Sequence, residues 1–153
     1  MLFEKILPRV NLAYSGSRWS FWFLAVVTFI STARSLVHLL APDGGAGSIA
    51  HIALNVPGGP NIVAIFGQWG ASQLVFALMQ WLVVVRYRFL IPAMLALIAL
   101  EQVLRIVAGQ LKPLHVDSAP PGAYGSYITF VLSLAFLMLS LQIKKPATDQ
   151  PGE

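Results

Sequence analysis

Four long apolar runs alternate with short breaks rich in proline, glycine and charge. The runs extend from about Trp19 to Ala41, Asn61 to Val85, Phe89 to Gly109 and Tyr124 to Ile143. A helix needs about 20 mostly apolar residues to cross about 30 Å of hydrocarbon at about 1.5 Å per residue. Each run meets that length. The breaks are punctuated as helix ends require. Pro42, Asp43, Gly44 and Gly45 stop the first run, and Pro57-Gly58-Gly59-Pro60 precedes the second. Arg86-Tyr87-Arg88 turns tightly into the third, which predicts that helices two and three are antiparallel neighbours. Pro92 falls in a first turn, where its missing N–H costs little. Pro113, Pro120, Pro121 and Gly122 break the chain before the fourth run. The pattern predicts an all-α, integral membrane four-helix bundle over 19–145. It is flanked by residues 1–18, read either as a segment lying in the headgroup region or as a frayed cytoplasmic tail, and by a polar tail, 146–153. The N-terminal stretch reads as a retained first helix, since its apolar run is too long for a signal peptide.

Composition supports that class and removes others. The chain has 153 residues, 57% of them hydrophobic and only 10% charged, too little charge to cover a soluble surface. Zero cysteines exclude a disulfide scaffold and thiolate chemistry. The net charge of +4 comes from bases scattered between apolar runs, with no continuous patch for nucleic acid. With four spans, Lys5, Arg9, Arg18, Arg86, Arg88, Lys144 and Lys145 fall on one side and Lys112 on the other. The positive-inside bias then predicts that both termini are cytoplasmic.

Polar residues inside the spans carry the chemistry. Thr28, Ser31, Arg34, Ser35 and His38 form one stripe on helix one. Helix two carries Gln68, Trp69 and Gln73; helix three carries Glu101 and Arg105, four apart and able to pair. Counted along the helices, Arg34, Gln68 and Glu101 lie roughly 10–12 Å below the outer surface. A charge at mid-membrane costs about 2.5–3.5 kcal/mol on insertion scales, so such groups face partners or water. The expectation is a polar pocket between helices one, two and three, open to the outer side. Its candidate ligand-binding residues are Arg34, His38, Gln68, Trp69, Gln73, Glu101 and Arg105. A purely structural network, with Arg34 and Arg105 sharing Glu101, accounts for the same residues. No metal set is expected, because His38, His51, His115 and Asp43 show no ligand spacing. Bis-histidine haem would need a second intramembrane histidine facing His38. In the long first loop, Ser48 is placed to cap a turn carrying Ile49, Ile52, Ala53 and Val56 over the bundle mouth. Gly67, Gly70 and Ala71 form a small-residue patch for close helix approach.

The Pro42-Asp43 exit, the loop with Ile49 to Leu54, the run Phe66-Gly67-Gln68-Trp69-Gly70-Ala71-Ser72-Gln73-Leu74, the tight basic turn and the arginine near the end of helix three form one pattern. It resembles the DoxX-like group of small four-span bacterial membrane proteins. The resemblance covers about two-thirds of the chain and implies a four-helix fold in a bacterial inner membrane. Some relatives in that group are linked to quinone-dependent oxidation, but the resemblance carries no reaction or catalytic residue to this chain. The leading expectation is binding of a lipophilic or quinone-like small molecule, with a quinone or lipid as the compatible bound group. A structural or accessory subunit, docking on a membrane partner or on its own copy, is the second reading. A membrane isomerase or oxidoreductase using Glu101 or His38 as its acid/base group is the third.

Overall fold

The computed structural model describes residues 4, 6–8, 10, 12–116 and 120–142. Lys5, Arg9, Lys144, Lys145 and the polar tail lie outside the described residues. The chain forms four long helices: α1 (Arg18–Leu40), α2 (Gly59–Val85), α3 (Ile91–Leu111) and α4 (Pro121–Ser140). A single 3-10 turn, Arg88–Leu90, joins α2 to α3. All four helices are long and apolar enough to cross a membrane, as a multi-pass membrane protein requires. Phe29, Ile65, Val75, Val131 and Met138 are each more than half exposed. Side chains of this kind face lipid in a spanning bundle, where the helical backbone meets its own hydrogen bonds.

The boundaries follow local chemistry. Ser17 caps α1, its hydroxyl accepting from Trp19 N at 3.2 Å. Prolines sit in the first turns of α2, α3 and α4, where no intrahelical donor is lost. Pro121 therefore opens α4 rather than preceding it, and the helix begins three residues before the expected Tyr124.

The helices pack chiefly as two pairs, α1 on α2 and α3 on α4. Helices α2 and α3 share the tight turn but touch sparsely. Adjacency in the chain thus brings their ends together without packing their lengths. The α1–α2 contact is set at Gly70, where an added Cβ would lie 2.7 Å from His38 Cβ and 2.8 Å from Leu39 N. Only a residue without a side chain permits this approach. Gly67 is looser, at 3.9 Å from the His38 carbonyl oxygen, and Ala71 is exposed, so the patch acts mainly through Gly70. Further along the pair, Trp81 Nε1 donates to Thr32 Oγ1 at 3.0 Å.

Packing is uneven along the bundle axis. The apolar core is Leu24, Val83, Val84, Ile91, Met94, Leu95 and Ile98, all towards the end bearing the α2–α3 turn. At that end Ser20 Oγ donates to the Phe136 carbonyl at 2.7 Å, and the Phe23 and Phe136 rings stack at 4.4 Å. The N-terminal segment is tied there too. Arg86 Nη2 donates to the Leu7 carbonyl at 2.7 Å and Tyr87 Oη to that of Pro8 at 3.0 Å. The opposite end, which carries the loop from Ala41 to Gly58, is hollow.

Candidate functional site

The loop after α1 builds one wall of the hollow end. Gly44 and Gly45 take φ of 60° and 75°, a left-handed turn that suits glycine. The Asp43 carboxylate accepts from Gly45 N at 2.8 Å and Ser48 N at 2.7 Å. Those bonds hold its pKa well down, from 3.8 to about 2. Asp43, rather than the expected Ser48, is therefore the capping residue. It is committed to the loop and is not among the cavity-lining groups. The turn carries Ile49 and Ala50 onto the cavity; Ile52, Ala53 and Val56 do not line it.

His38, near the end of α1, is buried beneath this loop. Its Nδ1 lies 2.7 Å from the Gly44 carbonyl oxygen. A carbonyl only accepts, so Nδ1 carries the proton; in the neutral ring Nε2 then keeps its lone pair. The imidazole stacks on Trp69 at 4.7 Å and meets Phe66 edge-on at 5.6 Å. Two guanidiniums lie over the same indole, Arg105 at 5.0 Å and Arg34 at 5.8 Å from its centroid. An aromatic face attracts cations without neutralising them.

Among the described residues, only one of these cations has an ionic partner. Arg105 Nη1 lies 3.6 Å from Glu101 Oε1, an ion pair within one helix turn but too long for a hydrogen bond. Arg105 Nε also faces Ser126 Oγ on α4 at 3.4 Å, while Gln102 Nε2 donates to Glu101 Oε2 at 3.2 Å. No carboxylate among the described residues lies within 4.0 Å of Arg34, and its buried Nε makes no hydrogen bond. The expected three-residue network thus reduces to the Glu101–Arg105 pair, with Arg34 standing apart.

These groups border two cavities. The first encloses about 410 Å³ at the loop end and is lined by Arg34, His38, Phe66, Trp69, Arg105 and Tyr127, among others. Small-molecule sites commonly run from about 300 to 1,000 Å³. The second is a lateral cleft of about 470 Å³ between α2 and α3, where the two helix pairs part. Gln73, Phe76, Leu97, Leu100, Glu101 and Leu104 line it. Trp69 and Arg105 belong to both linings and form the partition between them.

The expected site is therefore divided. Arg34 and His38 face the loop-end cavity, Gln73 and Glu101 the cleft, and Trp69 and Arg105 both. Gln68 is exposed and lines neither. It matches the others in depth but lies 100° round the helix from Trp69, off the Phe66–Trp69–Gln73–Phe76 face. The pocket is also not confined to helices one to three. Helix α4 supplies Gly122, Ala123, Ser126 and Tyr127. Gly122 and Ala123 leave room for a cavity without a polar signature, so their part of this wall was hidden. Glu101 and His38, the two alternative acid/base candidates, line different cavities. Among the described residues no group of three or more His, Cys, Asp or Glu gathers as a metal site. The chain matches no family model, no curated protein and no solved structure.

Proposed function

We propose that the chain is a multi-pass protein of the bacterial inner membrane, akin to the DoxX-like group, that binds a lipophilic small molecule in the loop-end cavity. A quinone-like or other carbonyl-bearing head group sits among Arg34, His38, Trp69 and Arg105. Both termini are cytoplasmic, which is supported by the basic residues of the α2–α3 turn and the N-terminal segment, so the cavity opens on the outer side. One observation carries the binding reading: a 410 Å³ cavity whose walls are mostly apolar holds a guanidinium with no carboxylate partner among the described residues. A buried charge left unpaired is unfavourable for the bundle alone and favourable for a ligand that accepts its hydrogen bonds.

Arg34→Gln separates binding from scaffolding. If Arg34 serves a ligand, the variant unfolds at the same or higher detergent denaturant, because an uncompensated charge has been removed. It also loses small molecules that co-purify with the wild type under gentle detergent extraction, as read by mass spectrometry. A less stable variant that keeps every co-purifying molecule would show Arg34 to be a strut and overturn the proposal.

A further inference from the structure

We infer that the ligand is a carboxylate amphiphile of the long-chain fatty-acid class, which reaches the site sideways from the bilayer through the α2–α3 cleft. This rests on the binding reading above and names its chemistry. The first argument is charge. Arg34, Arg105 and Glu101 sum to one excess positive charge around the Trp69 partition. A carboxylate brings that sum to zero, whereas a neutral head group leaves it standing. A carboxylate also accepts from guanidinium N–H groups in charge-assisted bonds stronger than those of a neutral carbonyl. Arg34 Nε and Arg105 Nη1 are buried donors that make no hydrogen bond within the protein.

The second argument is the direction of the cleft. Its polar lining, Trp69, Ser72, Gln73, Glu101 and Arg105, lies towards the loop end beside Leu104 and Ala108, and only apolar groups, Phe76 and Leu97, lie deeper. From Arg105 to Leu97 the wall descends roughly 12 Å at helical rise. Polar group above and apolar wall below is how an amphiphile stands in the leaflet on that side. The cleft lies between two helix pairs that touch sparsely, so a tail meets no packed core on its way in. The carboxylate passes the Trp69–Arg105 partition to reach Arg34, and the tail remains among Phe76, Leu97 and Leu100.

The test uses the purified full-length chain in detergent and three probes: oleate, oleyl alcohol and decylubiquinone, with retention read by native mass spectrometry. Oleate is expected to bind at least about tenfold tighter than either neutral probe, the scale of one charge-assisted bond. Leu100→Trp, on an exposed wall of the cleft, is expected to weaken oleate by about tenfold, and Leu100→Ala to retain it, as blocking and widening a tail path require. Equal binding of oleate and oleyl alcohol overturns the carboxylate assignment. Unchanged oleate binding in Leu100→Trp overturns the lateral path. Decylubiquinone binding as tightly as oleate overturns the inference and leaves the pocket reading intact. Retention of no probe overturns both.

Discussion

The α1–α2 crossing turns a distance into an energy. An added methyl at Gly70 would lie 2.7 Å from His38 Cβ, 2.8 Å from Leu39 N and 2.9 Å from the His38 carbonyl carbon. All three atoms are fixed to the α1 backbone, so none can swing aside and the helix itself must move. At Gly67 the same methyl meets only the His38 carbonyl oxygen, at 3.9 Å, an ordinary van der Waals contact. Gly70→Ala and Gly67→Ala share the same gain in helix propensity, up to about 1 kcal/mol. They differ in the contact. Overpacking a close crossing costs about 1–3 kcal/mol, so Gly70→Ala is expected to be less stable than Gly67→Ala by that amount. One or two kcal/mol is a factor of about 5–30 in the folded-to-unfolded ratio. Reversible unfolding in mixed micelles, followed by circular dichroism, resolves such a difference. Gly109→Ala, where nothing lies within 4 Å, controls for propensity alone. If Gly70→Ala and Gly67→Ala unfold together, the helix separation is not set at Gly70 and the reasoning is refuted.

Two further outcomes follow from the charged groups. The Asp43 carboxyl is depressed from 3.8 to about 2, so its hold on the loop is complete above about pH 4 and is lost as pH falls through about 2. The Gly45 and Ser48 amide resonances should titrate with a midpoint near the lower value; a midpoint near 4 would show that the cap does not form. In the membrane, Arg105→Gln leaves Glu101 without its cation, whereas Arg105→Gln with Glu101→Gln removes both charges. The double variant should be more stable than the single one by about 1–2 kcal/mol, within the usual range for coupled neighbours. Equal unfolding midpoints would show that Glu101 costs nothing once its cation at 3.6 Å is removed.

Hydrophobic periodicity made the helices legible, and prolines marked their starts. Pro121 was ambiguous because proline both breaks a helix and opens one; the choice depends on which side the chain continues. The pairing of helices was less legible. Arg86-Tyr87-Arg88 shows that two helix ends meet, yet α1 and α2 are joined by Gly70 under His38 and by Trp81 on Thr32, matches between distant positions. The site followed the same division. Depth can be counted along a helix, and it grouped Arg34, Glu101 and Gln68. Direction changes by 100° per residue, so Gln68 and Trp69 part company at the first step. The Asp43 cap could be heard in the Asp-Gly-Gly that follows Pro42, whereas Ser48 drew attention only by residue type. Ser126 needed coordinates, because its place opposite Arg105 comes from the packing of α4 on α3.

The concentration of packing at the turn end has a mechanical consequence. The two helix pairs are fastened there by the core, by Ser20 on Phe136, and by the N-terminal segment strapped across Arg86 and Tyr87. They are free of such fastening along the cleft. A pair anchored at one end behaves as a lever arm. Helix α2 is about 40 Å long at helical rise, so a 5° swing about the turn end displaces its far tip by about 3 Å. At Trp69, about 24 Å from the turn end, the same swing is about 2 Å, while the core residues scarcely shift. The stiffness of one end thus decides where the bundle would yield, and for a given swing the displacement grows from the core, past Arg34 and Trp69, to the loop-end tips at Leu40 and Gly59.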